Sequence, residues 1–229
     1  MSPMSGWPFC GGGRALRRSL WLLMALALVG AFGRYAGPAP SEAAIRQPGT
    51  SADLARIEAY LNGLDTLRST FVQINPDGGT VTGELYYARP DKMRLDYDPP
   101  SRILIVANGW NLVYHDRRLK QVSHLFTSRT PLGFLLEDDI RLSGKVTVTE
   151  VQRVADELLV TLVQSEEPDQ GAITLAFADE PMALRRWTVV DAQGLRTHVV
   201  LEDVETGVEL DRELFRFRDP SFYPDARRD

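Results

Sequence analysis

The sequence predicts a mainly β protein, an antiparallel meander that curls into a barrel or half-barrel with a few helical pieces. Three observations carry this. Beyond the first amphipathic segment, apolar residues recur at every second position in run after run. Clusters of Asn, Gly, Pro and Asp separate those runs at short intervals. Only two stretches show helical spacing, too few to sheathe a parallel sheet on both faces. Consecutive strands then pair antiparallel, and the helices cover one open side or one mouth.

The chain opens on an address signal. Arg14, Arg17 and Arg18 precede an apolar run from Leu20 to Phe32. The run is shorter than the roughly 20 residues of a membrane span. A basic segment, a short apolar segment and then small residues describe a secretory signal peptide, with Ser41-Glu42-Ala43 as its cleavage signal. Residues 1–43 are therefore read as the signal, 44–50 as a short polar lead-in and 51–229 as one domain. Arg17-Arg18 also fits a twin-arginine signal, and an uncleaved membrane anchor is the competing reading. Cys10 lies before the apolar run, so it is not the acylated first residue of a mature lipoprotein.

The elements follow in order. Leu54, Ile57, Leu61 and Leu64 recur at helical spacing, with Asn62-Gly63 as the stop signal. Leu67, Ser69, Phe71 and Gln73 then alternate with Arg68, Thr70, Val72 and Ile74, up to a turn at residues 75–79. Val81, Gly83, Leu85 and Tyr87 share one face of the next strand, which Arg89-Pro90-Asp91 breaks. Met93, Leu95 and Tyr97 face one way and Lys92, Arg94 and Asp96 the other, the cleanest half-buried strand in the chain. Ile103 to Val106 and the run containing Trp110, Leu112 and Tyr114 flank Asn108-Gly109, a strong hairpin signal. Arg117-Arg118 turns the chain into Leu119 to Leu125. Thr130-Pro131 reads as N-cap and first position of a second helix, with Leu132, Leu135 and Leu136 on its apolar side. Five further strands are read at 146–154, 158–163, 173–177, 184–190 and 195–201, and Leu214, Phe215 and Phe217 suggest a last edge strand.

Composition narrows the function. The chain has 229 residues, 44% hydrophobic and 25% charged, within the globular range. Its net charge of -5 argues against nucleic acid as a partner. The predicted signal holds four arginines and one glutamate, so the remainder keeps 22 basic and 30 acidic residues, a net charge of -8, and no cysteine. A disulfide and a cysteine-based zinc site are both ruled out. His115, His124 and His198 are far apart; His115, at the end of a hairpin strand, reads as solvent-facing. The pairs Asp138-Asp139 and Glu166-Glu167 lie in turn-like segments and read as solvated surface. No nucleophile, metal or phosphate-loop motif is found, so the expectation is no catalytic residue, no metal and no cofactor. What the sequence offers instead is apolar: Phe71, Leu85, Tyr87, Met93, Leu95, Tyr97, Ile103, Ile105, Trp110 and Leu112 fall on strands that would be neighbours. They form either a packed core or the wall of a hydrophobic cavity.

The order of several short motifs resembles a known family. Phe71-Val72-Gln73 follows an amphipathic helix; then come Gly83-Glu84-Leu85-Tyr86-Tyr87-Ala88-Arg89-Pro90, Met93-Arg94-Leu95-Asp96-Tyr97 and Pro99-Pro100. Ile105-Val106-Ala107-Asn108-Gly109 leads to Leu112-Val113-Tyr114, and Thr130-Pro131-Leu132 introduces the middle helix. Asp191-x-x-Gly194 and Leu214-Phe215-Arg216-Phe217-Arg218-Asp219-Pro220 close the series. Together they resemble the periplasmic outer-membrane lipoprotein carriers, the LolA family, over about Leu54 to Pro220.

The resemblance implies an incomplete antiparallel barrel, a half-barrel, with an α-helical lid over a hydrophobic cavity that holds the acyl chains of a lipoprotein. It implies a periplasmic, monomeric carrier chaperone without cofactor. Its partners would be acylated lipoproteins, an inner-membrane ATP-driven releasing complex and an outer-membrane acceptor lipoprotein. It makes Arg89 the latch that holds the lid to the barrel. It makes Phe71, Leu85, Tyr87, Met93, Leu95, Tyr97, Ile103, Trp110, Leu132 and Leu135 the acyl-contact candidates. Met93 and Leu95 depart from the family pattern, which is often aromatic there. Three alternatives stand beside this reading: a carrier of another lipid or glycolipid on the same scaffold, a periplasmic sensor domain binding an anti-sigma factor, and a hydrolase. Sensors of this kind usually carry a further C-terminal domain, and the sequence runs to Asp229, which counts against that expectation.

Overall fold

A computed structural model describes residues 46–219 of the chain. The signal peptide, its cleavage site, Cys10 and the tail from Pro220 lie outside the described residues.

The helical spacing around Ile57 and Leu61 produces α1 (Ser51–Asn62), with both side chains buried. Its start is fixed by a capping box. The Thr50 hydroxyl accepts the Asp53 N–H, and the Asp53 carboxylate accepts the Thr50 N–H at 2.8 Å. Gly63 ends it, donating its N–H to Ala59 at 2.9 Å. The Tyr60 ring meets the ring of Phe177 edge-on with centroids 5.7 Å apart, which seats the helix on the sheet.

The strands are β1 (Arg46–Pro48), β2 (Thr66–Ile74), β3 (Thr80–Ala88), β4 (Lys92–Tyr97), β5 (Ile103–Asn108) and β6 (Asn111–Asp116). They continue with β7 (Gln121–Phe126), β8 (Val146–Val154), β9 (Glu157–Gln164), β10 (Gly171–Ala178), β11 (Ala183–Asp191) and β12 (Arg196–Thr206). All pair antiparallel in one sheet, in the order β1-β8-β9-β10-β11-β12-β2-β3-β4-β5-β6-β7. The sheet is not closed, since β1 and β7 are its two edges. It is strongly curled: β4 and β11 are separated by three strands in the sheet order, yet their side chains face one another across a common interior. The alternation predicted for β2 to β4 is the burial pattern found, with Leu67, Ser69, Phe71 and Gln73 on the concave side of β2 and Met93, Leu95 and Tyr97 on that of β4.

Four details differ from the sequence reading. Arg46–Pro48, in the segment read as a polar lead-in, is an edge strand paired with β8. The second helix is only a 3-10 turn, Gly133–Leu136, capped by Leu132 without a side-chain bond. Thr130 instead donates its hydroxyl to the Thr127 carbonyl at 2.7 Å. Leu132 to Leu136 are all buried, so there is no polar face to form an amphipathic helix. A Cβ at Gly133 would stand 2.0 Å from the Thr127 carbonyl oxygen, so the backbones touch there.

Leu214 and Phe215 belong to another 3-10 turn, Arg212–Phe215, rather than a strand. This turn lies as a strap against β4 and β5 on the convex side, held by Arg94 donating to Leu214 O at 3.0 Å and Asn108 donating to Phe215 O at 3.2 Å. It explains why β5 is apolar without alternation: Ile103, Ile105 and Ala107 join the main core, while Leu104 and Val106 are buried on the opposite face. It also corrects His115, which is buried rather than solvent-facing, its ring edge-on to Phe217 at 5.4 Å. Burial first, and Arg117 second, hold the His115 pKa below its ordinary value.

Candidate functional site

The alternation of β4 sends Met93, Leu95 and Tyr97 into the hollow of the curled sheet. From across the hollow come Trp187, Val189 and Asp191 of β11, and Thr197 and Val199 of β12. Ile105 of β5, Leu112 and Tyr114 of β6 and Leu125 of β7 complete the sheet wall. Arg129 to Leu132 and Leu136 form the opposite side. These surfaces enclose a cavity of about 80 Å³ lined almost wholly by apolar side chains. It reaches the rim where β2, β4 and β11 end, because Gln73, Tyr97, Asp191 and the 43% exposed Leu195 belong to its lining.

The polar groups of the wall are mostly tied down. Tyr97 donates its hydroxyl to Gln73 Oε1 at 2.7 Å, and Gln73 donates to Asn75 Oδ1 at 2.7 Å. Burial pushes the Tyr97 hydroxyl pKa far above its ordinary value, so it stays a neutral donor. The Phe71 ring stands edge-on to Tyr97 at 5.0 Å and backs it from outside the lining.

The segment that covers the hollow is pinned at the other rim. Arg89 follows β3 where that strand pairs with the start of β2. Its guanidinium donates to the Leu61 carbonyl at 3.0 Å, to Asn62 Oδ1 at 3.0 Å and to the Asp138 carbonyl at 2.6 Å. One planar group thereby joins a barrel strand, the end of α1 and the segment after the 3-10 turn. Asn62 completes the tie, donating to Ile140 O at 2.8 Å and accepting the Ile140 N–H at 3.0 Å. Glu58 accepts the Leu142 N–H at 2.7 Å. Tyr87 donates its hydroxyl to the Leu135 carbonyl at 2.7 Å, and burial pushes its pKa up to about 12.

Of the acyl-contact candidates, Met93, Leu95, Tyr97 and Leu132 line the cavity. Phe71, Leu85, Tyr87, Ile103 and Leu135 are buried in the surrounding core without forming its wall. Trp110 is corrected: it sits in the two-residue turn between β5 and β6, 72% exposed, its ring 5.7 Å from that of Phe126. The register places Asn108 opposite Asn111, so Trp110 belongs to the turn and not to the strand. Sequence reasoning missed Trp187, Val189 and Val199. Their signal was the same period-two alternation, Trp187, Val189 and Asp191 against Thr188 and Val190 on β11 and Thr197 and Val199 against His198 on β12, in strands recognised but not assigned to the cavity.

The candidate acidic pairs remain surface groups: Asp138, Asp139, Glu166 and Glu167 are exposed. His124 and His198 meet Asn111 and Thr188 respectively. Among the described residues no group of three or more His, Cys, Asp or Glu is placed to hold a metal ion, and no helix is long and apolar enough to cross a membrane.

The chain is similar in sequence to several known proteins. An outer-membrane lipoprotein carrier protein of Methylococcus capsulatus is 27% identical over 177 residues, covering 73% of this chain and 84% of that protein. One of Pseudomonas aeruginosa is 28% identical over 181 residues, covering 74% and 85%. The crystal structure of a LolA superfamily protein from Nitrosomonas europaea aligns with a TM-score of 0.42 at 11% identity, over 72% of this chain and 97% of that one. The family model for the outer membrane lipoprotein carrier protein LolA matches residues 62–218. That match runs from the end of α1 through Arg89 and strands β2 to β12 to the convex strap, and the chain belongs to the LolA family.

Proposed function

We propose that this protein is a periplasmic carrier that shelters the acyl chains of lipoproteins while they cross from the inner to the outer membrane. The cavity carries the reading: an apolar hollow in a curled sheet, covered by a separate segment, in a chain of this family. An acylated lipoprotein N-terminus has dozens of methylenes, each costing about 0.8 kcal/mol when exposed to water. Unaided transit of an aqueous compartment is then prohibitive, and an apolar container removes that cost.

The closed cavity is too small for such cargo. A volume of about 80 Å³ is small beside the dozens of methylenes of such cargo. Loading therefore requires the segment 129–142 and α1 to lift from the sheet. Their polar attachments at the latch rim run through Arg89, Asn62, Glu58 and Tyr87. Hydrogen bonds of net strength about 0.5–1.5 kcal/mol each suit a lid that must also reopen, and Arg89 is the latch. A closed state favoured by only a few kcal/mol is shifted by any ligand that prefers the open one.

The signal-like N-terminus supports export to the periplasm. There the carrier would take cargo from an inner-membrane ATP-driven releasing complex and pass it to an outer-membrane acceptor. The test is release of lipoproteins from inner-membrane vesicles containing that complex. The protein should strip acylated lipoproteins into the soluble fraction and copurify with them. Vesicles that keep their lipoproteins despite a folded, added carrier would sink the proposal.

A further inference from the structure

Asp191 is the one anionic side chain on the lining of the cavity among the described residues. It sits where β11 turns into β12 and is only 7% exposed. One carboxylate oxygen is used by the fold: Oδ1 accepts the Gln193 N–H at 2.9 Å and the Leu195 N–H at 2.9 Å. These bonds fix the side chain in one orientation. The other oxygen, Oδ2, is buried and has no hydrogen-bond partner. The only cation on the lining among the described residues, Arg129, holds its guanidinium over the Phe126 ring at 5.5 Å.

A buried carboxylate oxygen without a partner is costly next to apolar walls, and a positive donor is the complement that offsets the cost most fully. The turn itself needs only Oδ1. From this geometry we infer that Asp191 is a recognition residue for a protonated amine at the root of the acyl chains, with Oδ2 as the acceptor. Its place fits that role. Asp191 and Leu195 stand where the cavity reaches the rim, so chains directed inward leave their head group at this carboxylate. The cargo favoured is an acylated molecule with a free ammonium group beside its chains, such as a diacylated N-terminus whose amino group is unmodified. The inference rests on the cavity being the acyl site.

The test uses the full chain and a neutral, environment-sensitive acyl dye as probe. Dodecylammonium, dodecanol and dodecanoate, equal in chain length, compete for the dye at neutral pH. The wild type should be emptied of dye by dodecylammonium at about tenfold lower concentration than by dodecanoate, equivalent to about 1.4 kcal/mol. Asp191→Asn keeps an Oδ1 for the two turn N–H groups but replaces Oδ2 by a donor. It should lose the ranking, which is read between competitors on the same variant and so does not depend on that variant's own affinity for the dye. A second arm compares a diacylated lipopeptide carrying a free amino terminus with its N-acylated form, where the wild type should prefer the former and Asp191→Asn should not. If Asp191→Asn proves unstable, this lipopeptide preference in the wild type alone decides. Equal affinity for ammonium and carboxylate ligands, or for the two lipopeptides, overturns the role of Asp191 while dye binding leaves the carrier reading intact. Failure of the wild type to bind the dye at all counts against the carrier reading instead.

Discussion

Arg89 and Asn62 meet at 3.0 Å, and the Asn62 side-chain oxygen that accepts from the guanidinium also accepts the Ile140 N–H at 3.0 Å. A residue after β3 is thus linked through the last residue of α1 to the segment beyond the 3-10 turn. Arg89→Leu removes three donated bonds at once. The expected loss is about 1–3 kcal/mol, felt locally as faster amide hydrogen exchange at Ile140 and Leu142. Arg89→Lys should recover only part of it, because an ammonium on a flexible stem does not reproduce the planar fork. Dye should enter the leucine variant faster. Unchanged exchange at both amides would show that the guanidinium does not hold the lid.

Gly83 lies on β3 between the inward residues Val81 and Leu85. A Cβ there would stand 2.3 Å from the Asp96 carbonyl oxygen and 2.7 Å from Phe71 Cζ. The glycine gives the Phe71 ring its place against Tyr97. Gly83→Ala should therefore destabilise by about 1–3 kcal/mol through overpacking. A urea unfolding curve should show a lower midpoint with an unchanged slope. Replacing Phe71 by Leu in the same chain should recover part of the loss, since it removes the ring that the new methyl strikes.

Much of this architecture is legible in sequence where local pattern and environment agree. Lys92, Arg94 and Asp96 alternate with Met93, Leu95 and Tyr97 because one face of β4 meets the hollow and the other meets polar partners. The pattern misleads where a distant segment changes the environment. Nothing local in Leu104, Val106 or His115 says that a strap from residues 212–217 covers the convex face. Leu132 to Leu136 look like a helix stripe because burial on every side and the contact of Gly133 with Thr127 are long-range facts. The strand Arg46–Pro48 is invisible because three residues held by backbone pairing to β8 carry no side-chain period. For the site, Arg89 was singled out through its motif, whereas the place of Trp187 and Val189 on the cavity wall required knowing that β11 curls round to face β4.

Acid should loosen the start of α1. Asp53 is nearly buried and bonds both Thr50 and Arg153. Burial alone would raise its pKa; the Thr50 N–H and hydroxyl and the Arg153 guanidinium outweigh it and hold the carboxyl below the usual carboxylate value. Asp179, which pairs with Arg153 and with Arg56 at 2.8 Å, is lowered likewise: burial opposes the shift, and the two guanidinium groups prevail. Folded pKa values below the unfolded ones mean that this stability is complete above about pH 4. It is lost as pH falls through the folded values. Unfolding free energy should owe no change to these groups between pH 5 and 8 and should fall on further acidification. Asp53→Asn should flatten part of that fall, measured as the difference between variant and wild type in urea at pH 3 and pH 7. Parallel pH profiles would refute the assignment.

Trp187 separates the cavity from the rest of the core by its response to ligand. It is 3% exposed and lines the cavity, whereas Phe177, fully buried, packs against Tyr60 of α1 and does not. Truncating either to alanine should cost about 3–5 kcal/mol, lowering Tm by about 2–4 °C for each kcal/mol in a domain of this size. The two losses should then diverge. The space left by Trp187→Ala is continuous with the cavity, so a chain bound there as proposed can occupy it. Binding to the folded state alone raises stability by about 2.7 kcal/mol at a hundredfold excess over Kd. An acyl lipopeptide with a bulky chain terminus should raise the Tm of Trp187→Ala by more than that of the wild type. It should raise that of Phe177→Ala by no more than the wild-type increment, because that void opens beneath the helix. Equal increments in the two variants, read by differential scanning calorimetry, would mean that the chains do not reach Trp187.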